Sequence, residues 1–272
     1  MKTIFLFIFT LLLLQYSEHQ VNADPDLALI SDSDVPLILV STLDGVMTAI
    51  DSTTGHVKWK FKEHPLLKTP KSVNKNFIFL PNPQDGQLYF YREHALKKIS
   101  SSIHQLVQQS PCKTTENVLF AGAKKDEWLA IDFETGLAVE TMTKPTKDNS
   151  MCLVNNNIVF VGRTEYQLTV RNTSSNAVWN TTYFDYTSDM APDPYHPNFY
   201  LSTPIDGKFL CIDKDSKDIL WEKDLESVVV GTYILKKNGM SRLQNIVIGP
   251  DTFHKLTKVT FDGKNLLKYI IK

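Results

Sequence analysis

LILVSTLDGVMTAIDSTTGHVKW at residues 37–59 and FYLSTPIDGKFLCIDKDSKDILW at residues 199–221 follow one plan. Each has an apolar run, a polar turn holding Asp-Gly, an alternating run ending in Ile-Asp, a second polar turn, and a tryptophan. Alternation such as Val46-Met47-Thr48-Ala49-Ile50 places every second side chain on one face of a strand. Asp-Gly between two such runs favours a tight hairpin, because glycine accepts positive φ.

The plan recurs along the chain. Asp51, Asp132 and Asp213 are spaced at equal intervals of 81 residues. Intermediate copies fill the gaps: FIFLPNPQDGQLYFY (77–91) and IVFVGRTEYQLTVRNTSSNAVW (158–179), with a looser copy at 246–269. One unit is a three- or four-stranded antiparallel sheet, and it covers its faces only by stacking on its neighbours. The expected fold is mainly β. It is a quinoprotein- or propeller-like array of about six units of ~40 residues, with a few short helices. Trp59, Trp179 and Trp221 share one phase of the repeat and are expected to pack between sheets.

Two stretches break the pattern. Residues 94–110 carry Ile99, Ile103, Leu106 and Val107 at helical spacing, which predicts a short helix or ordered loop. Residues 187–198 hold three prolines and read as an exposed loop. The end, 236–272, has eight basic and two acidic residues, which suits a solvated surface or an anionic partner.

The 272-residue chain is 42% hydrophobic and 22% charged with a formal net charge of -1. That balance excludes a disordered tail and argues against a binder driven by phosphate neutralisation, so no nucleic-acid partner is expected. Residues 4–14 (IFLFIFTLLLL) follow Lys2 and precede Val21-Asn22-Ala23, the pattern of a secretory signal peptide over 1–23. The run is short for a spanning helix, although an uncleaved anchor is the alternative. Residues 24–34 form a mobile acidic segment, and 35–272 the folded domain. Asn172 and Asn180 begin N-x-Ser/Thr sequons and are candidate glycan sites in a lumenal or secreted chain.

Cys112, Cys152 and Cys211 then sit in an oxidising space. Three is odd, so at least one stays free, bonds another molecule, or is buried and inert. Cys211 lies in the apolar run FLCI and reads as core. Cys112 and Cys152 are the candidates for an intermolecular disulfide. No P-loop, Gly-x-Ser-x-Gly or His-Glu-x-x-His is present, and no cofactor or metal is expected. Asp213-Lys214-Asp215 imitates the start of a calcium loop but fails at Lys217 and Asp218.

VSTLDG (40–45), SPC (110–112), KKDEWLAID (124–132), GRTEY (162–166) and WNTTYFDY (179–186) together resemble the luminal domain of the inositol-requiring kinase/endoribonuclease, the membrane sensor of the unfolded-protein response. The resemblance covers roughly 35–235. It implies a propeller-related fold that is not a closed propeller, and an endoplasmic-reticulum luminal domain that detects unfolded polypeptides or the departure of the lumenal Hsp70 chaperone. It also implies that the domain dimerises and so brings cytosolic kinase and ribonuclease domains together. The family's dimer contacts fall here on Pro111, Lys124, Asp126 and Trp128, expected on an edge strand around 120–131. No kinase motif is present, so the stretch given is expected to lack enzymatic activity and to reach the membrane only through a C-terminal part. The competing reading is a secreted propeller-like binding protein or enzyme with a site at its channel mouth.

Overall fold

The computed structural model describes residues 35–74, 77–114, 117–142, 157–188, 190–192 and 194–261. The expected signal peptide, the acidic segment 24–34, Cys152 and residues 262–272 lie outside the described residues.

Each quoted unit folds as a meander. The first supplies β1 (Leu37–Thr42), β2 (Val46–Asp51) and β3 (Val57–Lys62). Next come β4 (Leu67–Lys68), then β5 (Ile78–Pro81), β6 (Gln87–Arg92) and β7 (Ala95–Ser102), then helix α1 (Ile103–Gln108) and β8 (Cys112–Lys113). The middle of the chain gives β9 (Val118–Asp132), β10 (Ala138–Met142), β11 (Ile158–Asn172) and β12 (Val178–Thr187). The second quoted unit gives β13 (Asn198–Ser202), β14 (Lys208–Asp213) and β15 (Ile219–Asp224). It is followed by β16 (Val229–Lys236), β17 (Gly239–Leu243), β18 (Asn245–Val247) and helix α2 (Pro250–Phe261).

These strands form four sheets. Sheet I has the order β17-β16-β1-β2-β3, so late strands complete the first unit. Sheet II is β10-β9-β11-β12-β4, with β8 on β9; sheet III is β5-β6-β7; sheet IV is β15-β14-β13-β18. All pairings are antiparallel except β13 with β18. The sheets stand side by side like propeller blades, and the ring is not closed.

The expected units therefore regroup. The third and fourth merge into sheet II, because β9 and β11 are each fifteen residues long and pair over that whole length. No turn residue interrupts GAKKDEW or GRTEYQ, so nothing ends either strand. The looser copy at 246–269 is corrected: its residues from Pro250 to Phe261 are helical. Pro250 suits the first helical turn, and Phe253 and Leu256 form a stripe packed on Leu201, Leu210 and Ile212 of sheet IV. Residues 95–102 are strand rather than helix. The helix starts only after Ser102, whose hydroxyl and Gln105 form a capping box.

The recurrent tryptophans join the sheets. Trp59 of sheet I donates its indole N–H to Phe133 O of sheet II at 2.9 Å. Trp221 of sheet IV donates to Ser52 O of sheet I at 3.2 Å. Trp179 of sheet II packs on Phe79 of sheet III, centroids 5.3 Å apart. Each ring lands in the neighbouring blade's hydrophobic layer. Burying a Trp is worth about 5 kcal/mol of transfer free energy. Among the described residues the order is IV–I–II–III.

The equally spaced aspartates build turns, and those of Asp51 and Asp132 receive the Trp221 and Trp59 rings. Asp51 Oδ1 accepts from the N–H groups of Thr53 and Thr54 at 3.0 and 2.8 Å. Asp132 does the same with Glu134 and Thr135, and Asp213 with Asp215 and Ser216. Gly55 and Gly136 close two of these turns at φ 71° and 69°. A Cβ at Gly136 would stand 2.3 Å from the Trp59 ring, so both the conformation and the space require glycine there.

Candidate functional site: the open edge of the central sheet

On the side away from β11, the described residues cover β9 only at its ends. β8 lies against Leu119 and Phe120, and β10 spans Trp128 to Ile131. Direction alternates along the strand. The N–H groups of Gly122 and Asp132 point outward, to Ser110 Oγ (2.6 Å) and Leu137 O (3.0 Å). Phe133 N–H points inward to Asn157 O at 2.7 Å. Since β9 pairs with β11 without a register shift, the backbone groups of Lys124 and Asp126 also point outward. Among the described residues no strand pairs with them. The expected edge of 120–131 is thus narrower, an open window over 123–127.

The side chains of Lys124, Asp126 and Trp128 share one face, two residues apart. Lys124 Nζ stands 3.0 Å from Asp126 Oδ2, and both side chains are half-exposed. Trp128, partly buried, lies against Gly162, where a Cβ would come within 3.3 Å of the indole. Lys125 and Glu127 pair on the opposite face at 2.6 Å. Pro111 is exposed at the start of β8, beside the Ser110 that closes one end of the window. All four expected contact residues therefore border one edge.

Behind the edge lies a row that sequence reasoning did not assign. Asp126, Thr164 and Asp185 are direct neighbours across β9, β11 and β12; Lys124, Tyr166 and Tyr183 form the next row. Thr164 Oγ1 donates to Asp126 Oδ1 at 2.8 Å. Partial burial works to raise the Asp126 carboxyl, but the Thr164 hydroxyl and the Lys124 ammonium hold it below its ordinary value. Asp185 meets His104 of α1 and Arg242 of β17, each at 3.5 Å. Arg163, on the other face, is 4% exposed, pairs with Glu63 of the β3–β4 connection at 2.9 Å and lies 4.2 Å over the Phe184 ring. These residues sit in GRTEY and WNTTYFDY, stretches already singled out as motifs. The period-two spacing 162/164/166 and 183/185 was the available signal for a shared face.

The remaining expected sites scatter. Asn172 accepts from Ser174 and Ser175 N–H in a turn, whereas Asn180 is exposed on β12. Cys112 is half-buried in a groove of about 1360 Å³ between sheet III and the start of β9, with Phe77, Phe90 and Val118 among its walls. Cys211 is fully buried, and burial pushes its thiol up to about 12, so it is inert core. The calcium-like stretch at 213–218 is one of the repeat's aspartate turns, and no cluster of three or more metal-ligating side chains occurs among the described residues. No described helix is long and apolar enough to cross a membrane.

The family model for outer membrane protein assembly factor BamB, a propeller-type repeat, matches residues 20–182. Serine/threonine-protein kinase/endoribonuclease ire-1 of Caenorhabditis elegans is 38% identical over 226 residues, 82% of this chain and 23% of that protein. The human serine/threonine-protein kinase/endoribonuclease IRE2 is 33% identical over 227 residues, 81% of this chain and 23% of its own length. The chain thus spans about a quarter of the curated relatives it matches, in their N-terminal part. The compact lumenal domain of yeast Ire1 superposes with a TM-score of 0.59 at 20% identity, covering 78% of this chain and 75% of that one, and so shares the fold.

Proposed function

Because the chain belongs to the BamB-type repeat family and is homologous to the lumenal part of the ire-1 kinase/endoribonucleases, we propose that it is the self-associating lumenal module of a stress sensor. On this reading the module sits in the endoplasmic-reticulum lumen. Unfolded polypeptides, or release of the Hsp70 chaperone, shift it from monomer to homodimer. Kinase and endoribonuclease activity belong to the whole protein and act beyond this domain. The chain itself is a glycoprotein on this reading, with Asn180 the more accessible of its two sequons.

The open window of β9 carries the proposal. It is bounded by Gly122 and Trp128, so its midpoint is Lys125. Two copies related by a two-fold axis through Lys125 pair their strands antiparallel, with Lys124 opposite Asp126 of the second copy. The outward backbone groups of both residues then find partners, and each ammonium faces a carboxylate. A register shifted by one step to either side sets Lys124 against Lys124 or Asp126 against Asp126, which like charges disfavour. Trp128 and Pro111 supply apolar contact at the two ends.

Sedimentation equilibrium of the purified chain tests this. A concentration-dependent dimer is expected, and Trp128→Ala should weaken it about tenfold or more. An unchanged dimer constant would remove β9 as the interface.

A further inference from the structure

We propose that Thr164 is a positioning residue for self-association: its hydroxyl fixes the Asp126 carboxylate in the orientation that makes the β9 edge complementary to itself. The inference rests on the β9 reading above and adds to it a residue that does not touch the second copy.

Thr164 is 5% exposed and sits on β11, directly between two carboxylates, Asp126 and Asp185. Its hydroxyl has one proton to give, and it goes to Asp126 Oδ1 at 2.8 Å. Asp185 has its own partners, the His104 imidazole and the Arg242 guanidinium, each at 3.5 Å. The other Asp126 oxygen faces Lys124 at 3.0 Å. Contacts at both oxygens restrain the carboxylate, although its side chain is more than half exposed. A free carboxylate would have to be ordered on association, at an entropic cost that Thr164 removes beforehand. The groups on Asp126's side of the sheet are Lys124 on β9, Thr164 and Tyr166 on β11, Asp185 and Tyr183 on β12, and beyond them His104 of α1 and Arg242 of β17. Lys125, Glu127 and Glu165 lie on the opposite face.

The hydroxyl favours the ionised form of Asp126. A carboxyl held low keeps its charge, and hence the cross-copy pairing, until the pH falls below the ordinary carboxylate range. Association is therefore full above that range and lost on acidification. Without the hydroxyl, the loss begins at higher pH.

The test measures self-association of the full purified chain by analytical ultracentrifugation from about pH 2 to about pH 7.5, with thermal melts as a control on folding. Thr164→Val keeps the shape and removes the hydroxyl. It should weaken the dimer about tenfold at neutral pH and move the acid midpoint upward. Thr164→Ser restores both, and Asp126→Asn flattens the pH dependence while weakening the dimer. If Thr164→Val folds and associates as the wild type while Trp128→Ala is weakened, the role of Thr164 is refuted and the interface stands. If Thr164→Val does not fold, Thr164→Ser decides: it must keep the wild-type midpoint, and a raised midpoint overturns the inference. A wild-type chain that stays monomeric overturns both.

Discussion

At the scale of single residues, the repeat is a set of carboxylates bonded to backbone. Burial of Asp51 works to raise its carboxyl, but the N–H groups of Thr53 and Thr54 and their hydroxyls outweigh it and bring it down to about 2. A carboxyl lowered in the folded state stabilises above its unfolded value near 3.9, and that contribution fades as the pH falls toward 2. Asp51→Ala should therefore cost about 2 kcal/mol at pH 7, read from urea unfolding. Between pH 4 and 2 the deficit against the wild type should shrink. A deficit that stays constant across that range would mean that Asp51 acts by shape and not by charge. The spacing of these aspartates was readable, because a turn of this kind needs an oxygen at one fixed position. Thr164 was not readable, because its partner lies 38 residues away and is brought near only by strand register.

At the scale of elements, edges distinguish this molecule. β3, the edge of sheet I, reads VKWKFK, and its outward positions carry lysines that discourage a second strand. β9 has charges too, but in the order Lys-Lys-Asp-Glu, which two antiparallel copies satisfy mutually. The β6–β7 hairpin is a different case. Glu93 and His94 both adopt left-handed φ, 53° and 61°, where Asn-Gly is favoured. Replacing the pair with Asn-Gly should raise stability by about 1 kcal/mol, visible as a higher urea midpoint with an unchanged slope. A lowered midpoint would show that the side chains stabilise the turn through contacts such as the exposed Arg92–Glu93 pair.

At the scale of the whole molecule, the sheets are stacked and need end caps. Helix α2 covers sheet IV through Phe253 and Leu256, both under 5% exposed. It stands where a further sheet would have stacked. Truncating either residue to Ala leaves a cavity and should cost about 2–4 kcal/mol in urea unfolding. Because the window on β9 belongs to a different sheet, the same variants should leave the dimer constant of the folded protein unchanged. A parallel loss of association would mean that the cap and the edge are coupled.

The amino-acid order alone determined the unit: period-two alternation, Asp-Gly turns and a recurring Trp specify a hairpin meander, because those signals act within a few residues of one another. It also placed Lys124, Asp126 and Trp128 on one side of one strand, since alternation fixes facing. Tertiary structure decided how many units share a sheet, that β16 and β17 complete the first one, and that 250–261 turns helical to cover sheet IV. It decided as well that, among the described residues, no strand pairs with 123–127 on the side away from β11, and that Thr164 holds Asp126. Those outcomes depend on which distant segment reaches a given edge or face first, and pairing across such separations leaves no periodic trace in the chain.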